Sequence, residues 1–327
     1  MRKEYPILIS LLIIVLVILT ILDLNGGFNL FIFNKLNEFN TNSTDGIILK
    51  ELHLPRTIMV LVAGSALSIS GLLMQTYFSN PLAGPSILGI SSGSNLFVAI
   101  TLMTPGMFSS NFSIISAAIL GAILFSFIIL GFSLKVKSTT SLLIVGVMLS
   151  AFTSSIVQLI QAESTLDALR SFTIWNFGSV QQVQLDQIPM ILFFFFIGFI
   201  ALFFLIKPLN LLIIGENQAE FLGLQPKKIR WILILITSIF TGLVTAFCGP
   251  ISFVGLAVPN LVKLIFKTTN HKTLILGTLV VGSLFLLICD LLTYSLEDVI
   301  SIPLNSITSL FGAPIIIWII IRKKWHD

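Results

Sequence analysis

Residues 56–75 read RTIMVLVAGSALSISGLLMQ, a run opened by Arg56 and closed by Gln75 with no charge between them. About 20 residues are needed to cross the hydrocarbon core of a bilayer as a helix, and this stretch has that length. It is crowded with small residues at four-residue spacing from Ala63 to Gly71, the pattern that lets helix backbones approach closely in lipid. Dense helix packing is therefore its first expected role.

Outward from this span the same reading repeats. Apolar stretches long enough to cross a bilayer fall at 6–24, 56–75, 88–104, 113–134 and 140–161, then at 188–206, 231–247, 251–266, 273–293 and 303–321. The expected fold is all-α: a single polytopic membrane domain over 1–327 with ten transmembrane helices. The stretch 240–266 is the least regular, because Gly249, Pro250, Gly255 and Pro259 interrupt it. The composition agrees. With 56% hydrophobic and 10% charged residues and a mean hydropathy of +1.05, the apolar surface needs lipid as its solvent. The first apolar segment follows Arg2 and Lys3 but no small-x-small cleavage site follows it, so it reads as a retained helix.

An even number of spans puts both termini on one side. Four basic residues, Lys35, Lys50, Arg56 and Arg170, fall opposite the termini, and the other 14 of 18 fall on the terminal side. Excess Lys and Arg mark the cytoplasmic face, which predicts cytoplasmic termini. On this layout residues 25–55 form an outer loop, 162–187 a second outer loop, and 207–230 an inner one. The first is polar and Asn-rich, with nothing beyond short turns expected. In the second, Leu166, Leu169, Phe172 and Ile174 have the spacing of a short interfacial helix. The Asn42-Ser43-Thr44 triplet is too short a pattern to carry weight.

The net charge of +4 gathers into no basic stripe with interleaved aromatics, so it reads as a topology signal rather than a nucleic-acid surface. The three His residues, His53, His271 and His326, fall in loops or at a terminus. Cys248 and Cys289 sit within spans without ligand spacing. No metal site, cofactor site or catalytic constellation can be assembled, and an enzyme is not expected. The clear intramembrane charge is Asp290, a candidate by default, although a buried carboxylate more often bonds a neighbouring helix. The chain contains no Gly-Lys pair, hence no phosphate-binding Gly-x-x-x-x-Gly-Lys-Ser/Thr loop.

Four stretches together resemble one family. They are Leu54-Pro55-Arg56-Thr57; Gly71 to Gly93, with Asn80-Pro81-Leu82-Ala83 and Leu88-Gly89-Ile90-Ser91-Ser92-Gly93; Ile251 to Pro259, reading ISFVGLAVP; and Leu310-Phe311-Gly312-Ala313-Pro314. Their order and spacing are similar to those of the FecCD/BtuC-like permeases, the membrane subunits of ABC importers for iron-siderophores, haem and cobalamin. The resemblance runs from about residue 50 to 321.

It implies a bacterial inner-membrane permease that dimerises with an identical or related chain. It also implies two cytoplasmic ATPase subunits and an extracytoplasmic binding protein that delivers substrate. The segment Gly215-Glu216-Asn217-Gln218-Ala219-Glu220-Phe221-Leu222-Gly223-Leu224 looks like the family's ATPase-coupling element. Within it Ala219 and Gly223, four apart, are expected on one helix face open to the ATPase. Leu222 and Leu224 would add apolar contact, and Glu216 would sit at the positive end of the helix. Ser138-Thr139-Thr140-Ser141 resembles the cytoplasmic gate region, and Arg56 is expected to help dock the binding protein.

The chain departs from the family pattern at four places. Pro259-Asn260 replaces Pro-His, leaving Asn260 a polar role without protonation. Asp290 is followed by Tyr294 where a basic partner is usual, so Asp290 is expected to lack its partner. Ser301-Ile302-Pro303-Leu304-Asn305 stands for Glu-Leu-Pro-x-Gly, and His53 for an Arg.

Overall fold

A computed structural model of the chain describes residues 4–24, 43–104, 111–136, 138–296 and 302–323. Among the described residues there are thirteen α-helices and no strand. In chain order they are α1 (Glu4–Leu24), α2 (Thr44–Ile48), α3 (Leu54–Tyr77), α4 (Ile90–Met103), α5 (Asn111–Lys135), α6 (Thr139–Ala162) and α7 (Leu166–Asn176). Then come α8 (Ile188–Leu212), α9 (Glu216–Phe221), α10 (Pro226–Cys248), α11 (Val254–Phe266), α12 (His271–Leu296) and α13 (Leu304–Lys323).

Each of the ten expected spans coincides with a helix. Among the described residues seven helical runs are long and apolar enough to cross a membrane, and three apolar helices, Ile90–Met103, Val254–Phe266 and Leu304–Ile319, are shorter. The shortening has a local cause in two of them. Gly89 precedes α4 with φ 76° and Phe253 precedes α11 with φ 66°, and a left-handed residue cannot continue a right-handed helix. At a rise of 1.5 Å per residue each of these two helices is about 20 Å long, against a hydrocarbon core of about 30 Å.

Two expected loops are smaller than the sequence suggested. Residues 25–42 of the first lie outside the described residues, but helix already begins at Thr44, where the Ser43 hydroxyl accepts the Gly46 amide at 3.1 Å. A π turn, Leu49–His53, joins α2 to α3. It comes just before Pro55, which has no N–H and whose ring would crowd the carbonyl four residues back in an α-turn. The connection expected at 207–230 shrinks to 213–225, because α8 runs on through Lys207 and Pro208 to Leu212 and α10 opens at Pro226. Ser301 and the carboxylates Glu297 and Asp298 lie outside the described residues.

The chain divides into two compact units. The first comprises Met1–Ile69, Ser179–Phe193 and Ser252–Asp327. Here α3 lies backbone to backbone on α12: a Cβ on Gly64 would collide with the Gly282 carbonyl, and one on Gly282 with Ser68. The Ser283 hydroxyl completes the seam by donating to the Leu61 carbonyl at 2.9 Å. The small-residue crowding read from residues 63–71 is thus the packing surface it was expected to be. Two of the four sequence stretches also meet. Gly312 lies so close to Phe253 that a Cβ would fall 2.5 Å from the Phe253 Cβ, and the Ser252 amide donates to Asn305 Oδ1 at 3.0 Å.

The second unit comprises Ser70–Gly178 and Phe194–Ile251. Here α4 lies close on α5, where Gly93 and Gly121 leave no room for a Cβ and the Ser94 hydroxyl donates to the Ala118 carbonyl at 2.9 Å. The short helix expected in residues 166–177 forms as α7, capped by Thr165. Phe172 and Trp175 are its buried residues, while Leu166 and Ile174 stay exposed.

Candidate functional site

The α8–α10 connection is built by backbone chemistry. Gly215, at φ 116°, turns the chain out of α8, and α9 runs for six residues. It stops because Gly223 takes φ 86°: the Gly223 amide bonds the Glu220 carbonyl at 2.9 Å and the Leu224 amide bonds the Ala219 carbonyl at 3.0 Å. This pair of bonds is the Schellman closure, which needs a residue with positive φ after the helix. Pro226 then starts α10.

This geometry corrects the sequence reading of the segment. Gly223 lies beyond the end of α9, so it shares no helix face with Ala219, and Ala219 is fully buried in the chain. The surface that α9 offers is instead Phe221, 92% exposed, with Leu222 beside it and Ile213 and Ile214 at the end of α8. Phe221 was not singled out from the sequence, although an aromatic residue among the polar residues of a short connection was the available signal.

Glu216 also has more to do than favour a helix end. Its Oε1 accepts from Arg230 Nη2 at 3.2 Å. Arg230 is 4% exposed, and its Nη1 donates to the Val136 carbonyl at 2.9 Å and the Ser133 carbonyl at 3.2 Å. The guanidinium lies 5.5 Å from the centre of the Tyr77 ring. From the sequence Arg230 counted only as a topology charge. A few residues along from Val136, the Ser138 hydroxyl caps α6 by accepting the Ser141 amide at 3.4 Å. Ser141 and Thr140 are exposed, and the Thr139 side chain lies outside the described residues.

The second polar centre corrects another expectation. Asp290 does have a cationic partner, but it is on α3 rather than one turn along α12. Arg56 Nε donates to Asp290 Oδ2 at 2.8 Å and Nη2 to the Asp290 carbonyl at 3.3 Å. Tyr294, in the place of the usual basic residue, covers the guanidinium at 4.4 Å, and the His53 ring packs edge-on against Tyr294. Arg56 and Asp290 are 5% and 1% exposed, so Arg56 is a buried ion-pair partner and presents no rim charge to a docking protein. The neighbouring Thr57 hydroxyl donates to buried Asp23.

Asn260 bonds its own helix, its Nδ2 donating to the Leu256 carbonyl at 2.8 Å. Among the described residues no three His, Cys, Asp or Glu side chains group in a way that could hold a metal ion, and Cys248 and Cys289 are buried free thiols.

Known proteins are similar to the chain over nearly all of its length. The "Probable iron chelatin transport system permease protein" of Helicobacter pylori (strain ATCC 700392 / 26695) is 33% identical, with 99% of each chain covered. The hemin transport system permease protein HmuU of Yersinia pestis is 31% identical over 99% of this chain and 98% of its own. A solved structure described as an inward-facing metal-chelate type ABC transporter matches with a TM-score of 0.85 at 27% identity, covering 97% of this chain and 99% of that one. The profile of the FecCD transport family matches residues 7–322, and the chain belongs to that family.

Proposed function

We propose that the chain is the membrane permease of an ATP-driven importer for an iron chelate, haem or cobalamin, with ATP hydrolysed by separate subunits that dock on α9. The observation that carries this reading is α9 itself. It is a six-residue helix between two long spans, held to its own chain by Glu216 and Arg230 and presenting Phe221 and Leu222 outward. Exposed aromatic and aliphatic side chains on a connection outside the lipid-crossing helices mark a protein interface. The family membership and the relatives for iron chelatin and hemin give the class of cargo.

The ten apolar helices all cross the membrane in this reading, with both termini and α9 in the cytoplasm of a bacterial cell. The three shorter ones cross because their neighbours shield the ends that lipid alone would not accommodate. The cytoplasmic gate is the α5–α6 connection, Ser138 to Ser141. A second permease subunit packs on α6, whose exposed face mixes Phe152 and Leu159 with Ser154, Ser155 and Gln158. Polar side chains on a membrane helix belong against protein or a water-filled path rather than lipid. Arg56 serves binding-protein docking by fixing the start of α3, not as an exposed contact.

Topology is tested by thiol labelling. A Ser43→Cys variant is expected to react with an impermeant maleimide in intact spheroplasts, and an Asn217→Cys variant only after permeabilisation. Labelling at position 217 from outside would overturn both the orientation and the place of α9.

A further inference from the structure

We infer that Arg230 is the positioning residue that passes movement of α9 to the α5–α6 connection, an inference that rests on α9 being the ATPase dock. One guanidinium, 4% exposed at the start of α10, touches three other elements. Nη2 holds Glu216, the first residue of α9, at 3.2 Å. Nη1 holds the Ser133 and Val136 carbonyls at 3.2 and 2.9 Å, at the end of α5. The face of Tyr77, the last residue of α3, lies 5.5 Å from the guanidinium carbon.

The last four carbonyls of a helix have no partner within it, and a cation there is favoured by the helix dipole. Arg230 therefore binds α5 at its most receptive point, and only residues 136–138 separate that point from α6. The guanidinium is a rigid plane, so its two ends cannot move independently. A displacement of Glu216 towards or away from the membrane must either break the pair or carry the end of α5 with it. Breaking it takes the carboxylate from a guanidinium that is 4% exposed, and although water reaches Glu216, whose side chain is 37% exposed, the pair favours carrying. Lysine could hold Glu216 or the carbonyls as a point charge, but it lacks the fork that spans both. The alternative is that Arg230 only caps α5, in which case α9 could move without consequence for the gate.

The test uses the complete chain with its ATPase subunits in membranes, carrying Ser141→Cys as a reporter; the native cysteines, Cys248 and Cys289, are buried. Maleimide labelling at position 141 is compared without nucleotide and with ATP and vanadate. With Glu216 and Arg230 intact, trapping is expected to change the rate by about fivefold, the low end of usual coupling between sites. Compared at an ATPase concentration that saturates capture by each variant, Glu216→Gln and Arg230→Gln should each lose most of that change, and Arg230→Lys should fall between. If either neutral variant keeps the full response, or if the intact chain captures the ATPase and shows no response, the inference is overturned. Failure of the intact chain to capture the ATPase, or undiminished capture by a Phe221→Asp variant, would instead overturn the docking role of α9. Should Arg230→Gln not fold, Glu216→Gln decides the matter, since that side chain is 37% exposed and its removal breaks only the α9 limb. A purely structural Arg230 would lower the yield of folded protein while the folded fraction kept its nucleotide response.

Discussion

Replacing Phe221 with aspartate is expected to weaken capture of the ATPase subunits by about a hundredfold, while the membrane helices stay folded. The side chain is 92% exposed and takes no part in the closure of α9, which rests on the backbone of Ala219, Glu220, Gly223 and Leu224. Among the described residues its removal uncovers little, since so little of the ring is covered. In a docked complex the same ring would be a central apolar anchor, and a carboxylate in its place would be buried without a partner. Leu222→Ala should cost less, because a smaller and less exposed group is shortened rather than charged. Binding of purified ATPase to detergent-solubilised chain, read beside the melting temperature, checks this. Unchanged affinity for the Phe221→Asp variant would mean that the dock lies elsewhere.

The second large effect belongs to Asp290. Removing one partner of a buried ion pair typically costs about 3 to 5 kcal/mol, because the other charge is left uncompensated. Asp290→Ala should therefore leave Arg56 stranded at the start of α3 and lower thermal stability in detergent by an amount of that order. Arg56→Glu should be at least as harmful, since it sets two carboxylates at one buried point, and added salt should not rescue it as it would modify a surface contact. The double variant Arg56→Met with Asp290→Leu is expected to recover much of the loss, because the charge and its partner go together. If Asp290→Ala costs less than about 1 kcal/mol, the pair behaves as a solvated surface bridge and its burial has no energetic consequence.

How far the structure could be foreseen depended on whether the deciding interaction was local in sequence. Apolar length placed a helix at every expected span, since membrane helices are specified by runs of neighbouring residues. The seam of Gly64 and Ser68 against Gly282 was legible on the α3 side for the same reason. The extent of α4 and α11 was not, because a single left-handed residue, Gly89 or Phe253, sets where each helix begins, and hydropathy does not register backbone angle.

In the α8–α10 connection a signal was present but read differently. Gly223 followed by Pro226 is a helix-stop pattern. That pattern ends α9 before Gly223 and leaves Phe221, not Ala219, as its exposed apolar residue. The long-range polar contacts lie beyond local reading, whereas Glu216 is only 14 residues from Arg230. Arg56 and Asp290 are 234 residues apart, and the carbonyls that Arg230 holds are 94 and 97 residues from it. For Asp290 the family resemblance implies a basic residue one turn along α12, and there the chain has Tyr294. That tyrosine still belongs to the site, as the aromatic face over Arg56.

In the proposed function, energy enters through partner subunits rather than through an ion gradient. The direct measurement is accumulation of radiolabelled ferric siderophore, haem or cobalamin in vesicles that contain the chain, its ATPase subunits and ATP on the α9 side, with loaded binding protein on the other. One of these cargoes is expected to accumulate, with uptake that stops when the ATPase is omitted or ATP is replaced by ADP and that a proton ionophore leaves unchanged. Uptake that proceeds without the ATPase and collapses with the ionophore while ATP remains would contradict the proposed function.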